Sequence, residues 1–136
     1  MLDKVEIQET ISRYHEGAST SDLEQIISTF LPDGVWEVPS LHVRVQGHAD
    51  IREKMEELVA PIAYLVQINA PAIIEVDGDT AEARSLIREC ARLRDGGVHM
   101  DVVGQFQDRL ERTREGWKFA HRTFTVIGTQ VTEGNR

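Results

Sequence analysis

The sequence has a single cysteine, Cys90, and no long apolar run. One cysteine cannot form a disulfide within the chain, and no base lies near Cys90 in the sequence, so we interpret it as an ordinary strand residue. No stretch is apolar enough to cross a bilayer, and the charged, helical start MLDKVEIQE is unlike a signal peptide. We therefore expect a cytoplasmic protein.

Clusters of basic residues and known nucleotide motifs are also missing. The formal net charge of -8 argues against a nucleic-acid ligand, because phosphate binding needs clustered Lys and Arg. The histidines are scattered and form no metal-binding spacing, so we predict no metal site. The chain contains no GxGxxG, GxxxxGK or GxSxG motif, which leaves nucleotide binding and serine hydrolysis without support.

The residues that are present predict one α+β domain spanning residues 1–136. A chain of 136 residues with 40% hydrophobic and 28% charged residues can bury a core of its own. Apolar spacing predicts amphipathic helices over 3–18, 23–30 and 49–59, with two short strands at 35–38 and 42–46 between the last two. From residue 64 the pattern is that of an antiparallel meander. Helices packed on one face of such a sheet predict a cone with an interior cavity.

The segment 98–124 (VHMDVVGQFQDRLERTREGWKFAHRTF) organises the predicted sheet as a long β-hairpin that turns at 113–116. With Arg112 opposite Trp117, the partners further along are Leu110 with Phe119, Asp108 with His121, and Phe106 with Thr123. A two-residue turn at Gly96-Gly97 places Ser85 opposite Asp108 and Glu89 opposite Gly104. A bulge in either strand of the hairpin is the alternative, and it would move His121 outside and bring Arg122 in.

This register predicts an Asp–His pair within an apolar surface. An Asp that orients a His makes a usable general base, because His titrates near neutrality. The alternative is a structural ion pair in which Arg112 or Arg122 holds Asp108. Glu89 is a second carboxylate on the apolar face, where it either shares acid and base roles or lies wet and paired with an arginine. Trp36, Phe106, Phe119 and Ser85 are predicted to line the pocket, which suits a flat or polycyclic ligand.

The order of these pieces resembles the nuclear transport factor 2-like superfamily and, within it, the SnoaL-like group. The resemblance covers nearly the whole chain. It is carried by ISRYHEGASTSDLEQIISTFLPDGVWEV, by Gly47 followed by Ile51, by EVDGDTAEARS and by GQFQDRLERTREGWKFAHR. It implies a cone-shaped α+β barrel that often forms a homodimer through the outer face of its sheet. It also implies cofactor-free proton chemistry of the kind found in steroid isomerases, scytalone dehydratase, limonene epoxide hydrolase and polyketide cyclases, or ligand binding without catalysis.

Some catalytic positions of the family match this chain and others do not. Tyr14 matches the tyrosine that donates to an oxyanion in steroid isomerases, but Val38 stands before Pro39, where those enzymes have their basic Asp. Dehydratase-like members have an Asp just after the first helix, and this chain has Ser19 at about that position. Asp108 matches the basic Asp of the polyketide cyclases.

These observations lead to one main hypothesis and two alternatives. The main hypothesis is a cofactor-free lyase or isomerase for a small apolar substrate, cyclic ones included, with Asp108 and His121 moving a proton and Tyr14 polarising an oxygen. The first alternative is a non-catalytic ligand-binding or dimerisation module. The second is an epoxide hydrolase, in which Glu89, Asp108 and an arginine would only loosely imitate the Asp–Arg–Asp set that this chemistry uses in the family.

Overall fold

The computed structural model describes residues 2–133, which form three α-helices and seven β-strands. The helices are α1 (Leu2–Ser19), α2 (Leu23–Ser28) and α3 (His48–Val59), and a 3-10 turn covers Pro39–Leu41. The strands are β1 (Phe30–Val38), β2 (Val43–Gln46), β3 (Ile62–Asn69), β4 (Ile73–Asp77), β5 (Thr80–Leu93), β6 (His99–Thr113) and β7 (Gly116–Thr132). The sequence TEGNR at 132–136 predicts a fraying end, and its last three residues lie outside the described residues.

The strands form one curved sheet in the order β2-β1-β7-β6-β5-β3, and β4 also pairs with β5. The β1–β7 pair is parallel, and the other pairs are antiparallel. This confirms the predicted α+β class with a mostly antiparallel sheet. The sheet is open rather than a closed barrel, because its edge strands β2 and β3 do not pair with each other.

The core lies between the concave face of the sheet and the helices. Helix α1 buries Ile7, Ile11 and Tyr14, which recur at the spacing that puts side chains on one helical face. Helix α3 adds Ile51 and Met55. Full burial of one such aliphatic or aromatic side chain stabilises the fold by about 1.5–3 kcal/mol. The burial of this face therefore fixes how α1 lies on the sheet.

The β6–β7 hairpin follows the predicted register near its turn and departs from it beyond a bulge. Leu110 faces Phe119 as predicted, but Ala120 is an extra residue in β7. The next pairs are therefore Arg109 with His121 and Asp108 with Arg122. The predicted pairing of Asp108 with His121 is wrong, and so is that of Phe106, which faces Phe124. The alternative with a bulge describes the structure.

The β5–β6 connection shifts a second set of partners. Its loop covers residues 94–97, closed by a 2.8 Å hydrogen bond from the Leu93 N–H to the Val98 carbonyl oxygen. The predicted two-residue turn is wrong by two positions. As a result Asp108 faces Ala83 rather than Ser85, and Glu89 faces Val102 rather than Gly104. A shift of two leaves every side chain on its predicted face.

Candidate active site: a buried chain of hydrogen bonds

A fully buried ion pair between Asp108 and Arg122 lies at the centre of the concave face. The Arg122 Nε–H donates to Oδ1 of Asp108 at 2.8 Å, and both side chains are inaccessible to solvent. Burial raises the pKa of Asp108, while the guanidinium of Arg122 opposes that rise. Removing one partner of such a pair typically costs about 3–5 kcal/mol, because the other charge stays buried without compensation. Asp108 is therefore placed as the counter-ion of Arg122.

Aromatic rings surround the guanidinium of Arg122. Its Cζ lies 3.8 Å from the ring centroid of Phe106, 4.1 Å from that of Tyr14 and 4.5 Å from that of Phe119. A cation over an aromatic face is attracted by the ring quadrupole, and the attraction is stronger where water is excluded. Phe106 and Phe119, both predicted to line the pocket, thus hold Arg122 in place from the core side.

His15 of α1 continues the network from Arg122. The Arg122 Nη2–H donates to Nε2 of His15 at 3.2 Å, and Nδ1 of His15 lies 2.7 Å from Oε1 of Gln67. Burial, together with the positive charge of Arg122, lowers the pKa of His15 to about 3. His15 is therefore neutral at ordinary pH. Arg122 can only donate, so Nε2 must accept, and the imidazole proton resides on Nδ1.

Gln67 of β3 links His15 to Glu89. Since the Nδ1–H of His15 is a donor, the side-chain oxygen of Gln67 accepts, and its Nε2–H donates to Oε1 of Glu89 at 2.8 Å. The backbone N–H of Gln67 also donates to the Ser19 hydroxyl at 2.9 Å. The side-chain hydrogen bonds that link Arg122 to Glu89 all run in one direction, from Arg122 through His15 and Gln67 to the carboxylate of Glu89. Gln67 and Glu89 are half-buried, so the network runs from the core towards the surface.

Tyr14 lies beside this network and keeps its proton. Burial raises the pKa of Tyr14 to about 12, against the opposing effect of the Arg122 charge. The phenol is thus a hydrogen-bond donor at neutral pH. Nε1 of Trp36, Nη1 of Arg122 and Oγ of Ser85 are buried polar atoms with no hydrogen-bond partner within residues 2–133. The concave face therefore has an excess of donors.

His121 lies on the opposite face of the sheet, away from this network. Its Nε2 is 2.9 Å from Oε1 of Glu37, and both side chains are partly exposed. It borders a surface groove of about 400 Å³ whose lining includes Arg84 and Arg109. The predicted Asp108–His121 dyad is therefore not formed, because the bulge at Ala120 turns His121 outward and Arg122 inward.

Sequence reasoning missed two members of the network. His15 follows Ile11 by four positions on the buried face of α1, so helical periodicity could have placed it inside. Gln67 has no such signal, because an isolated glutamine in a strand is usually solvent-exposed. Metal ligation has no geometric support either: within residues 2–133 no three His, Cys, Asp or Glu side chains are grouped to bind an ion.

Comparison with known proteins identifies the family. The SnoaL-like domain family matches residues 1–123, so the chain belongs to this family. No curated protein matches the sequence. The three helices of residues 2–133 are too short or too polar to cross a membrane.

Solved structures share the fold at low sequence identity. An NTF2-like protein with a cystatin-like fold from Novosphingobium aromaticivorans is 26% identical, with a TM-score of 0.78 over 92% of this chain and 82% of the other. A protein of the same organism, provisionally named a scytalone dehydratase, is 18% identical, with a TM-score of 0.86 over 99% and 94%. The hexachlorocyclohexane dehydrochlorinase LinA-type3 from Novosphingobium barchaimii is 16% identical, with a TM-score of 0.86 over 97% and 91%.

Proposed function

We propose that the protein is a cofactor-free lyase or isomerase that removes a proton next to the carbonyl group of a small apolar ketone. The observation that supports this most is the half-buried carboxylate of Glu89, held by Gln67 at one oxygen. Among residues 2–133 its other oxygen, Oε2, accepts no hydrogen bond, so its lone pairs are not already used within the protein. A carboxylate in this setting can act as a general base.

Tyr14 supplies the second group that the reaction needs. When a base removes a proton next to a carbonyl, negative charge develops on the carbonyl oxygen, and a donor at that oxygen stabilises the transition state. The phenol of Tyr14 stays protonated well above neutral pH, and its pKa is influenced by the charge of Glu89. We assign Glu89 as the base, Tyr14 as the oxyanion donor, and Asp108 as the counter-ion that keeps Arg122 in the core.

The related structures agree with this class of chemistry by name. One is named a dehydrochlorinase and another, provisionally, a dehydratase, and both names describe elimination. Elimination and double-bond migration both begin with proton removal from carbon. The residue roles proposed here are specific to this chain, because Ser19, at the end of α1, stands where dehydratase-like members have an Asp.

Two ketones test the proposal. Cyclohex-3-enone becomes conjugated when a proton moves from C2 to C4, and 3-chlorocyclohexanone forms the same conjugated enone by losing a proton and chloride. Both reactions are followed by the ultraviolet absorbance of the product. We expect Glu89→Gln to lower kcat/KM by about 100-fold or more, and Tyr14→Phe by about 100-fold, on one ketone or both.

Glu82→Gln is the matched control. Glu82 lies on the same strand as Glu89 but on its exposed face, so the change should leave turnover as it is in the wild type. Full activity of Glu89→Gln would rule out Glu89 as the base.

A ligand-binding module without catalysis is the second candidate. It is favoured by Ser19, whose hydroxyl is occupied by the backbone of Gln67, and by the internal neutralisation of Asp108 by Arg122. The same experiment separates the two functions. Saturable quenching of tryptophan fluorescence by 2-tetralone, with no turnover of either ketone, would favour binding alone.

We also propose that the protein forms a homodimer through the outer face of its sheet. Exposed apolar residues on neighbouring strands form an outer apolar patch, which we define as Ile68, Leu86, Val103 and Ile127. Exposed apolar patches of this kind mark interaction surfaces. Arg88 lies between Ile68 and Val103 in the sheet and pairs with Asp101 at 2.6 Å, so the proposed interface also contains both signs of charge.

A further inference from the structure

We propose that Gln67 is a positioning residue for the Glu89 carboxylate. The tautomer of His15 fixes the orientation of the Gln67 amide, and the amide in turn fixes the orientation of the carboxylate. This inference rests on the proposed role of Glu89 and adds the reason why one of its oxygens is held and the other free. The proposed function gives no role to Gln67, and the role inferred here comes from the direction of its hydrogen bonds.

The direction of the network is determined at both ends. At the buried end Arg122 has only N–H groups to offer, so His15 must accept at Nε2 and donate from Nδ1. At the outer end an ionised Glu89 has only acceptors, so the Gln67 amide must present its NH2 group there. The amide of Gln67 satisfies both ends in one orientation only. Rotating it by 180° would bring two donors together at His15 and two acceptors together at Glu89.

The network is a positioning device and not a path for protons. A guanidinium does not give up its proton in proteins, so no proton can enter at Arg122. His15 also resists protonation, because it is buried beside a permanent positive charge. Each member therefore keeps its protons while Glu89 changes its charge. The network therefore holds the plane of the Glu89 carboxylate in place through the hydrogen bond that Gln67 donates to Oε1.

Gln67 is itself anchored from several directions. Its backbone N–H is bound to Ser19 at the end of α1, and its side chain is bound on one side by α1 and on the other by β5. A side chain restrained at both polar ends loses little further freedom when a substrate binds, which favours a preorganised base. In the sheet Glu89 is flanked by the uncharged Gln67 of β3 and Val102 of β6. The titratable groups of α1 near it are Tyr14, on which the charge of Glu89 acts, and His15, which is linked to it through Gln67.

The first test uses the wild-type protein and no substrate. Two-bond 1H–15N NMR spectra of the histidine side chains, assigned with His15→Gln, distinguish a proton on Nδ1 from one on Nε2. We expect His15 to be neutral with its proton on Nδ1 between pH 8 and about pH 5, because its pKa is about 3. A proton on Nε2, or a charged His15 in this range, would overturn the proposal.

The second test introduces a charge at Gln67. In Gln67→Glu the new carboxylate can still accept the hydrogen bond from His15, but it lies next to the carboxylate of Glu89. Two like charges this close repel each other, so the two acids are expected to share a proton. We expect the 13C titration midpoint of the Glu89 carboxyl to rise by about one pH unit or more. If the protein also turns over the ketones, the acid limb of its pH–rate profile should move up with it.

Asn69→Asp is the charge-matched control. Asn69 is also on β3, two residues further along, and its side chain contacts its own backbone neighbour and not Glu89. It adds the same charge, so an equal shift of the Glu89 titration in both variants would show a general electrostatic effect and contradict the role of Gln67. Because the NMR tests use no substrate, lack of ketone turnover would refute the proposed function without touching this result.

Discussion

At the scale of single residues, the most consequential group is a histidine that does not titrate near neutrality. The imidazole of His15 is buried and accepts a hydrogen bond from Arg122, so its pKa falls to about 3. In the unfolded chain a histidine has a pKa of about 6.5. Below that pH the unfolded chain binds a proton at His15 and the native state does not, so the free energy of unfolding decreases.

This difference predicts a pH dependence of unfolding. The free energy of unfolding should fall by about 1.4 kcal/mol for each pH unit once the pH is well below 6.5, and it should continue to fall towards the native pKa. Burial raises the pKa of Asp108, which acts in the opposite direction at acidic pH in all variants alike. In urea titrations between pH 7 and pH 4, His15→Gln should show a shallower loss than the wild type.

The exposed His99 is the control for this measurement. His99→Gln should keep the slope of the wild type, because His99 is accessible to water in the native state. Parallel curves for the wild type and His15→Gln would mean that His15 takes up its proton in the native state.

The sequence predicted which residues face the interior better than it predicted their partners. Tyr14, Phe106, Phe119 and Asp108 are all buried, as their positions on apolar faces indicated. The partner of Asp108 could not be settled in the same way. Regular alternation along the strand placed His121 inside, and the bulge at Ala120, which the sequence offered only as an alternative, brings Arg122 in instead.

At the scale of secondary-structure elements, the curvature of the β6–β7 hairpin depends on two irregularities. One is the bulge at Ala120, and the other is a shift between Val103 and Gly104. At the second, a Cβ added to Gly104 would lie 2.5 Å from ring carbons of Phe124 and 2.6 Å from the carbonyl oxygen of Thr125. Glycine is therefore needed there so that β6 and the Phe124 ring can approach each other.

Gly104→Ala should destabilise the protein through this clash. Forcing an extra methyl group into a packed site typically costs about 1–3 kcal/mol, and here the backbone of Thr125 is among the atoms that would have to move. Gly128→Ala on the facing strand is the matched control, because its Cβ would meet Val103 Cγ2 at an ordinary 3.6 Å. Urea unfolding of the two variants should separate them, and equal stabilities would contradict the packing seen at Gly104.

The element scale also explains why turns were easier to predict than bulges. The hairpin turn at 113–116 follows from local residue chemistry, and the Leu110–Phe119 pair next to it was predicted correctly. A bulge depends on the packing of the whole sheet. The predicted two-residue turn at Gly96-Gly97 was wrong because two consecutive glycines are compatible with several loop lengths, and here the loop covers residues 94–97.

At the scale of the whole molecule, the outer face of the sheet is left uncovered by the helices. The outer apolar patch spans β3, β5, β6 and β7, and Ile68 and Ile127 are 66% and 65% exposed. Burying apolar area of this kind against a second copy would stabilise a dimer at about 25 cal/mol per Å², before the entropic cost of association is subtracted.

Val103→Glu should convert the proposed dimer into a monomer. The new carboxylates would meet across the interface and would lose their hydration there. Sedimentation velocity over a range of protein concentrations measures the effect. Leu41→Glu, which adds the same charge at an exposed apolar residue of the 3-10 turn, should leave the dimer intact. A wild-type protein that sediments as a monomer at all concentrations would refute the dimer.

The hydrogen-bond network also determines the net charge on the concave face. Arg122 and Asp108 cancel each other in the core, and His15 and Tyr14 are uncharged at neutral pH, so Glu89 alone gives the network a charge of minus one. The protein as a whole carries -8. For the proposed function this charge favours neutral substrates, because carboxylates and phosphates are repelled by the molecule at long range and by Glu89 at close range.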